Sequence, residues 1–469
     1  MEGTWVSLLP FLLVIPLAIW LKEMLPGLVV GLLVGAFCLE GQFFSAIERA
    51  VNAMLEAATN DGHMQVILFL YLFGALTGMM QITGGVKGFV QWISPKIHSK
   101  RRMMGFIWLT LPFTFFTPMF RIMLLAPVMK PLSEKFQMDK RKMAYIIDVS
   151  TEPIIVLLPI ATAFIGFMTS VVEGALEQNV IAQAAYPLFL ASLPYNFFAV
   201  IALIIGIVTT FRHVQIGKEE RAHVESETNY FHRLGLKKEL ALVVGEPLHL
   251  FFPLFFLFVF TIFFLWYDGK TKGATTLFAA FSHADATFVM LVALFLTIVL
   301  TAIFYFLRRQ KLHELIYHFF EGGNELIAAI SMLLLVWALS LTAEQLGFSS
   351  YISATFGTFL PKEIVPAAVF ILGSFISYFI GTSWGTWGLF MPLGVTLASA
   401  TGASLPMTIG AVFASGTFGA FASPLGDTTI TTASIMDLDL MEYAKYKLRI
   451  SLLCGVLALI GYLLFPFIS

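Results

Sequence analysis

The chain has 469 residues, 58% of them hydrophobic and only 12% charged, with a formal net charge of -1 and a mean hydropathy of +0.86. A water-soluble domain of that make-up would expose far too much apolar surface, and the net charge gives no hint of nucleic acid. Apolar runs of about 20 residues recur throughout, so the sequence predicts an all-α polytopic membrane protein solvated by a lipid bilayer.

The runs lie near 5–21, 26–39, 64–83, 104–129, 143–173, 184–211, 247–267, 287–307, 325–343, 363–396, 405–436 and 450–467. The first has no basic residue before it and no small-residue cleavage site after it, which reads as a first span rather than a signal peptide. Lys87, Lys96, Lys100, Arg101 and Arg102 precede 104–129, and Lys130, Lys135, Lys140, Arg141 and Lys142 follow it. Basic residues are retained in the cytoplasm, so both ends of this run belong on that side. With Pro112, Pro118 and Pro127 inside it, the run predicts a re-entrant hairpin, tolerated at depth only where protein or a wet cavity covers it. Assigning Lys445, Lys447 and Arg449 to a cytoplasmic loop as well completes a topology with both termini external, in a plasma membrane of bacterial type.

Two halves, 1–211 and 247–469, flank a polar segment, 212–246, that reads as a cytoplasmic linker and contains "GKEERAHVESETNYFHRLGLKKE". In the first half "TPMFRIMLLAP" runs from Thr117 to Pro127, and in the second "TSWGTWGLFMP" runs from Thr382 to Pro392. After these come "STEP", ending at Pro153, and "FASP", ending at Pro424. The pattern predicts two inverted-topology repeats, each with a re-entrant helical hairpin and a broken transmembrane helix. That architecture belongs to secondary transporters, whose sites lie near the midplane where interrupted helices expose backbone dipoles.

Ionisable groups inside spans cost about 2.5–3.5 kcal/mol each on insertion scales, so each needs a partner or a purpose. Asp148, Ser150, Thr151 and Glu152 precede Pro153, and Ser423, Asp427, Thr428 and Thr429 surround Pro424. With Thr382, Ser383 and Thr386 of the second hairpin, they offer the hard oxygens that bind ions or small substrates, Asp148 and Asp427 being the carboxylates expected to meet sodium. Asp427 also reads as a helix N-cap. Arg121, in the first hairpin, is either a fixed counter-ion to Glu152 or Asp148 or a fork for a substrate carboxylate. Thr117 and Trp384 are candidate cavity-lining residues. Asp285 reads as a cap, and His63, in "TNDGHMQ", as an interfacial residue able to sense pH.

Cys38 and Cys454 stand alone in apolar runs without metal-ligand spacing. No Walker A sequence and no nucleophile with a base appear, so neither a primary pump nor an enzyme is expected. No cofactor is expected; transported sodium and protons are the implied ligands, and a homodimer is the open assembly state.

The segments "LFGALTGMMQITGG", "RKMAYIIDVSTEP", "VWALSLTAEQLG", "FIGTSWGTWGLFMPL" and "ASPLGDTT" together resemble the NhaC-type sodium/proton antiporter family of the ion transporter superfamily. The resemblance implies about twelve helical elements, two hairpins and coupled cation/proton exchange. It implies functional roles for Thr382, Ser383, Trp384 and Thr386, and for Ser423, Pro424, Asp427, Thr428 and Thr429. Similar members commonly carry an acidic pair where this chain has Thr117 and Pro118, and Asp-His where it has Ala420 and Phe421. The lost acids and the added Arg121 open an alternative: sodium- or proton-coupled transport of a small organic anion or amino acid.

Overall fold

The computed structural model describes residues 3–85, 88–89, 92, 97–115, 118–159, 162–211, 246–276, 280, 283–356 and 360–467. Thr117 and residues 212–245 of the expected linker lie outside them. Among the described residues every regular element is helical.

Helices α1 (Leu9–Leu21) and α2 (Met24–Glu40) pack together after a turn at Lys22, and α3 (Phe43–Thr59) leaves α2 at 120°. In α3 the small residues Ala46, Ala50, Ala53 and Ala57 are buried while Phe43, Phe44, Val51 and Leu55 are exposed. The three-to-four spacing gives one packed stripe and one stripe for the surroundings. Asn60 caps α4 (Asp61–Ile82) by accepting from the His63 amide at 3.1 Å.

The run 104–129 divides into α5 (Lys100–Leu109), α6 (Leu111–Thr114) and α7 (Pro118–Lys135), with α7 packed on both of the others. Next come α8 (Lys140–Val149), the single turn α9 (Glu152–Ile155) and α10 (Ala163–Gln178), so the predicted run 143–173 is interrupted where its polar residues fall. A 47° bend separates α11 (Ala185–Ser192) with its 3-10 extension from α12 (Phe197–Phe211), making the predicted run 184–211 a bent pair.

The second half begins with α13 (Leu248–Thr271), α14 (Ala286–Leu307), α15 (Leu312–Glu325), α16 (Ile327–Gln345) and α17 (Phe348–Phe356). It ends with α18 (Val365–Ile380), α19 (Ser383–Thr401), α20 (Leu405–Ala422), α21 (Asp427–Ile435) and α22 (Leu440–Leu464). Asp285 caps α14, accepting from the Phe288 amide at 3.2 Å, as its sequence context predicts.

The α3 and α15 helices escape a hydropathy reading because each is amphipathic. They occupy exchanged places: α3 packs on α16, and α15 packs on α4. The α4/α15 crossing is glycine-lined, and a Cβ on Gly78 would stand 2.2 Å from the His318 carbonyl oxygen. Small residues at such a crossing let helix backbones approach without a solvent-driven force to help them.

Residues Leu405–Ile435, spanning α20 and α21, form the centre: 89% of their apolar window is buried, against 39% for α13 and α14. Six helices of the described residues have the length and hydropathy to cross a bilayer, or up to eight when each bent pair counts as one span. The protein is a multi-pass membrane protein. One sequence assignment is corrected here: α22 starts at Leu440, well before the predicted 450, so Lys447 is a fully buried helix residue rather than part of a basic loop.

Candidate functional site

The opening of α20 at Ser423 has a local cause. Pro424 lacks an amide hydrogen, so the helical ladder cannot pass through it, and the Ser423 hydroxyl accepts from the Leu425 amide at 3.0 Å instead. The chain restarts as α21 with Gly426 at the N-cap. Asp427 is thus the first helical residue rather than the cap, and its side chain makes no capping hydrogen bond.

The second break, between α18 and α19, lies against the first. Gly381 has a φ of 80°, and a Cβ there would fall 2.7 Å from the Leu425 backbone. Both the left-handed conformation and the close approach require glycine. Ser377 ties the region together, donating to the Gly416 carbonyl at 2.9 Å. The carbonyl of Thr382, the α19 N-cap, accepts from Thr386 Oγ1 at 3.1 Å.

Between these helix starts lies Glu152, 3% exposed. Its Oε1 accepts from Ser383 Oγ at 3.0 Å and its Oε2 from Thr428 Oγ1 at 3.2 Å. Ser383 opens α19 and Thr428 lies in the first turn of α21, so a carboxylate of the first half sits where two helices of the second half present their positive ends. No cationic side chain is within ion-pair distance of Glu152 among the described residues.

Asp148, one helical turn earlier, has different company. It accepts from Thr432 Oγ1 at 2.5 Å, Tyr443 hydroxyl at 2.6 Å and Lys447 Nζ at 2.7 Å. Lys447 also donates to Thr429 Oγ1 at 2.7 Å, and its ammonium lies 4.7 Å from the centre of the Phe421 ring. Both members of the ion pair are fully buried. In hydrocarbon surroundings the lysine and its hydroxyl partners satisfy the Asp148 charge, and loss of one member would strand the other.

Arg121 is fully buried on α7. It donates through Nη1 to Thr110 Oγ1 at 3.3 Å and to Thr114 Oγ1, and through Nη2 to the Ile107 carbonyl at 2.6 Å and Ser150 Oγ at 3.1 Å. Its Nε has no partner. The expected ion pair with Glu152 or Asp148 is not formed; neutral oxygens of α5, α6 and the α8 end take its place. Ser150 and Thr151 are likewise buried, each hydroxyl donating to the Ile147 carbonyl at 2.9 and 2.5 Å.

The fold therefore gathers Asp148, Ser150, Thr151, Glu152, Ser383, Ser423, Thr428 and Thr429 around the two breaks. Asp427 is on the exposed side of α21 and has no hydrogen bond among the described residues. Trp384 packs edge-to-face between Phe164 and Phe167, each 4.7 Å between ring centres. Lys447, Tyr443 and Thr432 are site residues the sequence reading did not single out. The signal for two of them was present: Tyr443, Lys447 and Ser451 recur every fourth residue, one buried stripe of a helix.

Buried carboxylates, a buried lysine and hydroxyls at interrupted helices, in a chain built of apolar helices, define a secondary transporter. The chain belongs to the Na+/H+ antiporter family, whose profile matches residues 154–466. An uncharacterised protein of Haemophilus influenzae is 24% identical over 99% of this chain and 91% of its own length. The malate-2H(+)/Na(+)-lactate antiporter of Bacillus subtilis is 31% identical over 20% of each chain. The arginine/ornithine antiporter ArcD of Halobacterium salinarum is 30% identical over 30% of this chain and 28% of its own. The fold is shared with MtrF of Neisseria gonorrhoeae, described within a class of antimetabolite efflux pumps, at a TM-score of 0.64 and 13% identity over 91% of this chain and 85% of that one.

Proposed function

We propose that the protein exchanges sodium for protons by alternating access and that Glu152 is the group for which the two ions compete. The observation that carries this reading is the setting of Glu152: a buried carboxylate whose side-chain hydrogen bonds, among the described residues, come only from the hydroxyls of Ser383 and Thr428. A hydroxyl donates to a bare carboxylate, and after rotation it offers a lone pair to a cation. Sodium can thus enter a site of hard oxygens as the proton leaves, without any side chain having to be displaced. The Asp148–Lys447 pair is charge-balanced throughout and anchors α8 to α22.

Motion of one half against the other is supported by how packing partners recur. Contacts of α2 with α16, α3 with α16 and α7 with α21 have counterparts in α14 with α4, α15 with α4 and α19 with α10. The correspondence favours two repeats, and the basic residues favour their inverted topology with both termini external. Glu152 lies on the boundary between these bodies, so rocking would expose it to each side in turn.

A second reading rests on Arg121. A buried guanidinium with an unpartnered Nε and no carboxylate retains capacity for an organic anion. The names of the B. subtilis and H. salinarum relatives favour organic solutes for the same frame. Proteoliposomes loaded with a pH gradient distinguish the readings. Dissipation on adding sodium alone supports sodium/proton antiport. Silence with sodium, lithium and potassium, followed by a response only to a carboxylate or amino acid, would replace it with organic-solute exchange, and Arg121→Ala would then abolish the response.

A further inference from the structure

A second group of buried polar atoms lies away from the two breaks, between α4, α10 and α16. His63 on α4 is 6% exposed and stacks on Trp337 of α16 with ring centres 3.7 Å apart and planes within 3°. His63 Nδ1 is 2.9 Å from the Ala57 carbonyl. A carbonyl only accepts, so Nδ1 carries the hydrogen and Nε2 holds a lone pair in the neutral ring. That Nε2 has no partner among the described residues, nor have Trp337 Nε1, Thr169 Oγ1 and Ser170 Oγ, the last two on residues only 2% and 1% exposed.

These atoms belong to three helices that pack on one another. On α10, Gly166 faces α4, where an added Cβ would stand 2.6 Å from Phe69, and Gly174 faces α16, with 3.6 Å to Trp337 Nε1. Ser170 falls between those two markers around the helix, and Thr169 and Glu173 fall on the α4 side of Gly166. Glu173 reaches the first turn of α4, 3.5 Å from where a Gly62 Cβ would be. Leaving each buried polar atom dry would cost about 1–3 kcal/mol, and shared water or a small ion is the ordinary way such a cluster is satisfied.

The charge around the mouth decides which solute is favoured. Glu173 is in electrostatic reach of Glu177 and Asp285, while Glu344 receives Gln178 Nε2 at 3.4 Å. Asp61 starts α4 nearby. The basic groups at this end are neutralised or held: Arg49 donates to Gln345 at 2.6 Å, and Lys272 pairs at 2.8 Å with Asp268, which accepts from the Asp285 amide. An acidic rim concentrates cations, and below it lone pairs of imidazole, hydroxyl and carboxylate predominate.

We infer that α4, α10 and α16 enclose a hydrated antechamber that collects small inorganic cations, sodium and hydronium, on their way to Glu152. On the neighbouring face of α10, Trp384 packs between Phe164 and Phe167 next to Ser383, whose hydroxyl is on Glu152, so the antechamber as inferred is separated from the site by α10. In the topology proposed above it opens on the external face. The antechamber deepens the antiport reading and rests on it for its purpose, yet its water content and charge preference are measurable without transport.

The test replaces Cys38 and Cys454 by serine and introduces Ser170→Cys or Thr169→Cys one at a time, with Val172→Cys on the opposite α10 face as the dry comparison. Membrane vesicles of both orientations are treated with trimethylammonium-ethyl or sulfonato-ethyl methanethiosulfonate, and the remaining thiol is counted after denaturation. The expected result is labelling at 169 and 170 from one side, none at 172, and a cationic-to-anionic rate ratio roughly tenfold above that of the same two reagents on a free thiol in solution. Absence of labelling from both sides would overturn the antechamber, and a rate ratio no higher than that of the free thiol would overturn its cation preference. Adding Glu152→Gln should leave the labelling pattern intact while transport is lost. Labelling that persists in a wild-type protein without sodium/proton exchange would refute the antiport reading and leave the wet, cation-selective chamber standing.

Discussion

Asp148 and Glu152 are four residues apart, yet they occupy two chemically distinct regions. Around Asp148, Lys447 and Tyr443 of α22 and Thr432 of α21 converge on the carboxylate. Glu152 accepts side-chain hydrogen bonds, among the described residues, only from Ser383 and Thr428, each at the start of an interrupted helix, and Lys447 acts on it through its field without a direct contact. A salt bridge buried in an apolar medium fixes its members because separating them exposes two unsolvated charges. A carboxylate held by neutral hydroxyls is not fixed in that way, since it can take up a proton or a cation and lose it again. Under the proposed exchange, the partners of a buried charge rather than its burial distinguish the transport site.

The comparison is tested most severely by Glu152→Gln. It should abolish sodium-driven proton exchange in proteoliposomes, a loss of at least about a hundredfold, while the purified protein keeps the elution profile of the wild type. Next in size is Lys447→Met, which should destabilise the protein by about 3–5 kcal/mol by leaving Asp148 unpaired. Thermal unfolding in detergent would show it, and adding Asp148→Asn should recover most of the loss. If the double variant is as unstable as the single, the lysine acts through something other than its carboxylate.

Ser383→Ala and Thr428→Val each remove one hydroxyl from Glu152. Each should weaken apparent sodium affinity about tenfold, in keeping with one hydrogen bond to a charged group, with maximal rate less affected. Asp427→Asn should be mildest, changing sodium affinity by no more than about twofold, because the side chain is exposed and without a hydrogen-bonding partner among the described residues. A large effect there would move the sodium site from Glu152 toward the outer face of α21.

The breaks themselves were legible. Pro424 denies the helix an amide, Gly381 supplies the left-handed turn, and hydroxyls gather where backbone groups are released. Which side chains would meet across the breaks was not legible, because Glu152 and Ser383 are 231 residues apart and nothing local encodes their approach. Lys447 was assigned to a basic loop because counting lysines near span ends cannot tell a snorkelling residue from one turned inward. The Tyr443–Lys447–Ser451 stripe held that information, but hydropathy averages over it. Of the two readings that charge alone allows for Arg121, a counter-ion to Glu152 or Asp148 and a fork for a substrate carboxylate, the first is not formed, and Thr110, Thr114 and Ser150 take the guanidinium instead. The amphipathic α3 and α15 stayed hidden because half of each helix is polar or small.

The central claim is that one carboxylate exchanges a proton for sodium. Purified protein in weakly buffered detergent solution, with a pH-sensitive dye, measures this directly when sodium is added at constant ionic strength. The wild type and Asp148→Asn/Lys447→Met should release protons on sodium addition, and Glu152→Gln should release none. Release that survives in Glu152→Gln and vanishes when Asp148 and Lys447 are replaced would contradict the account and transfer the exchange to the Asp148–Lys447 pair.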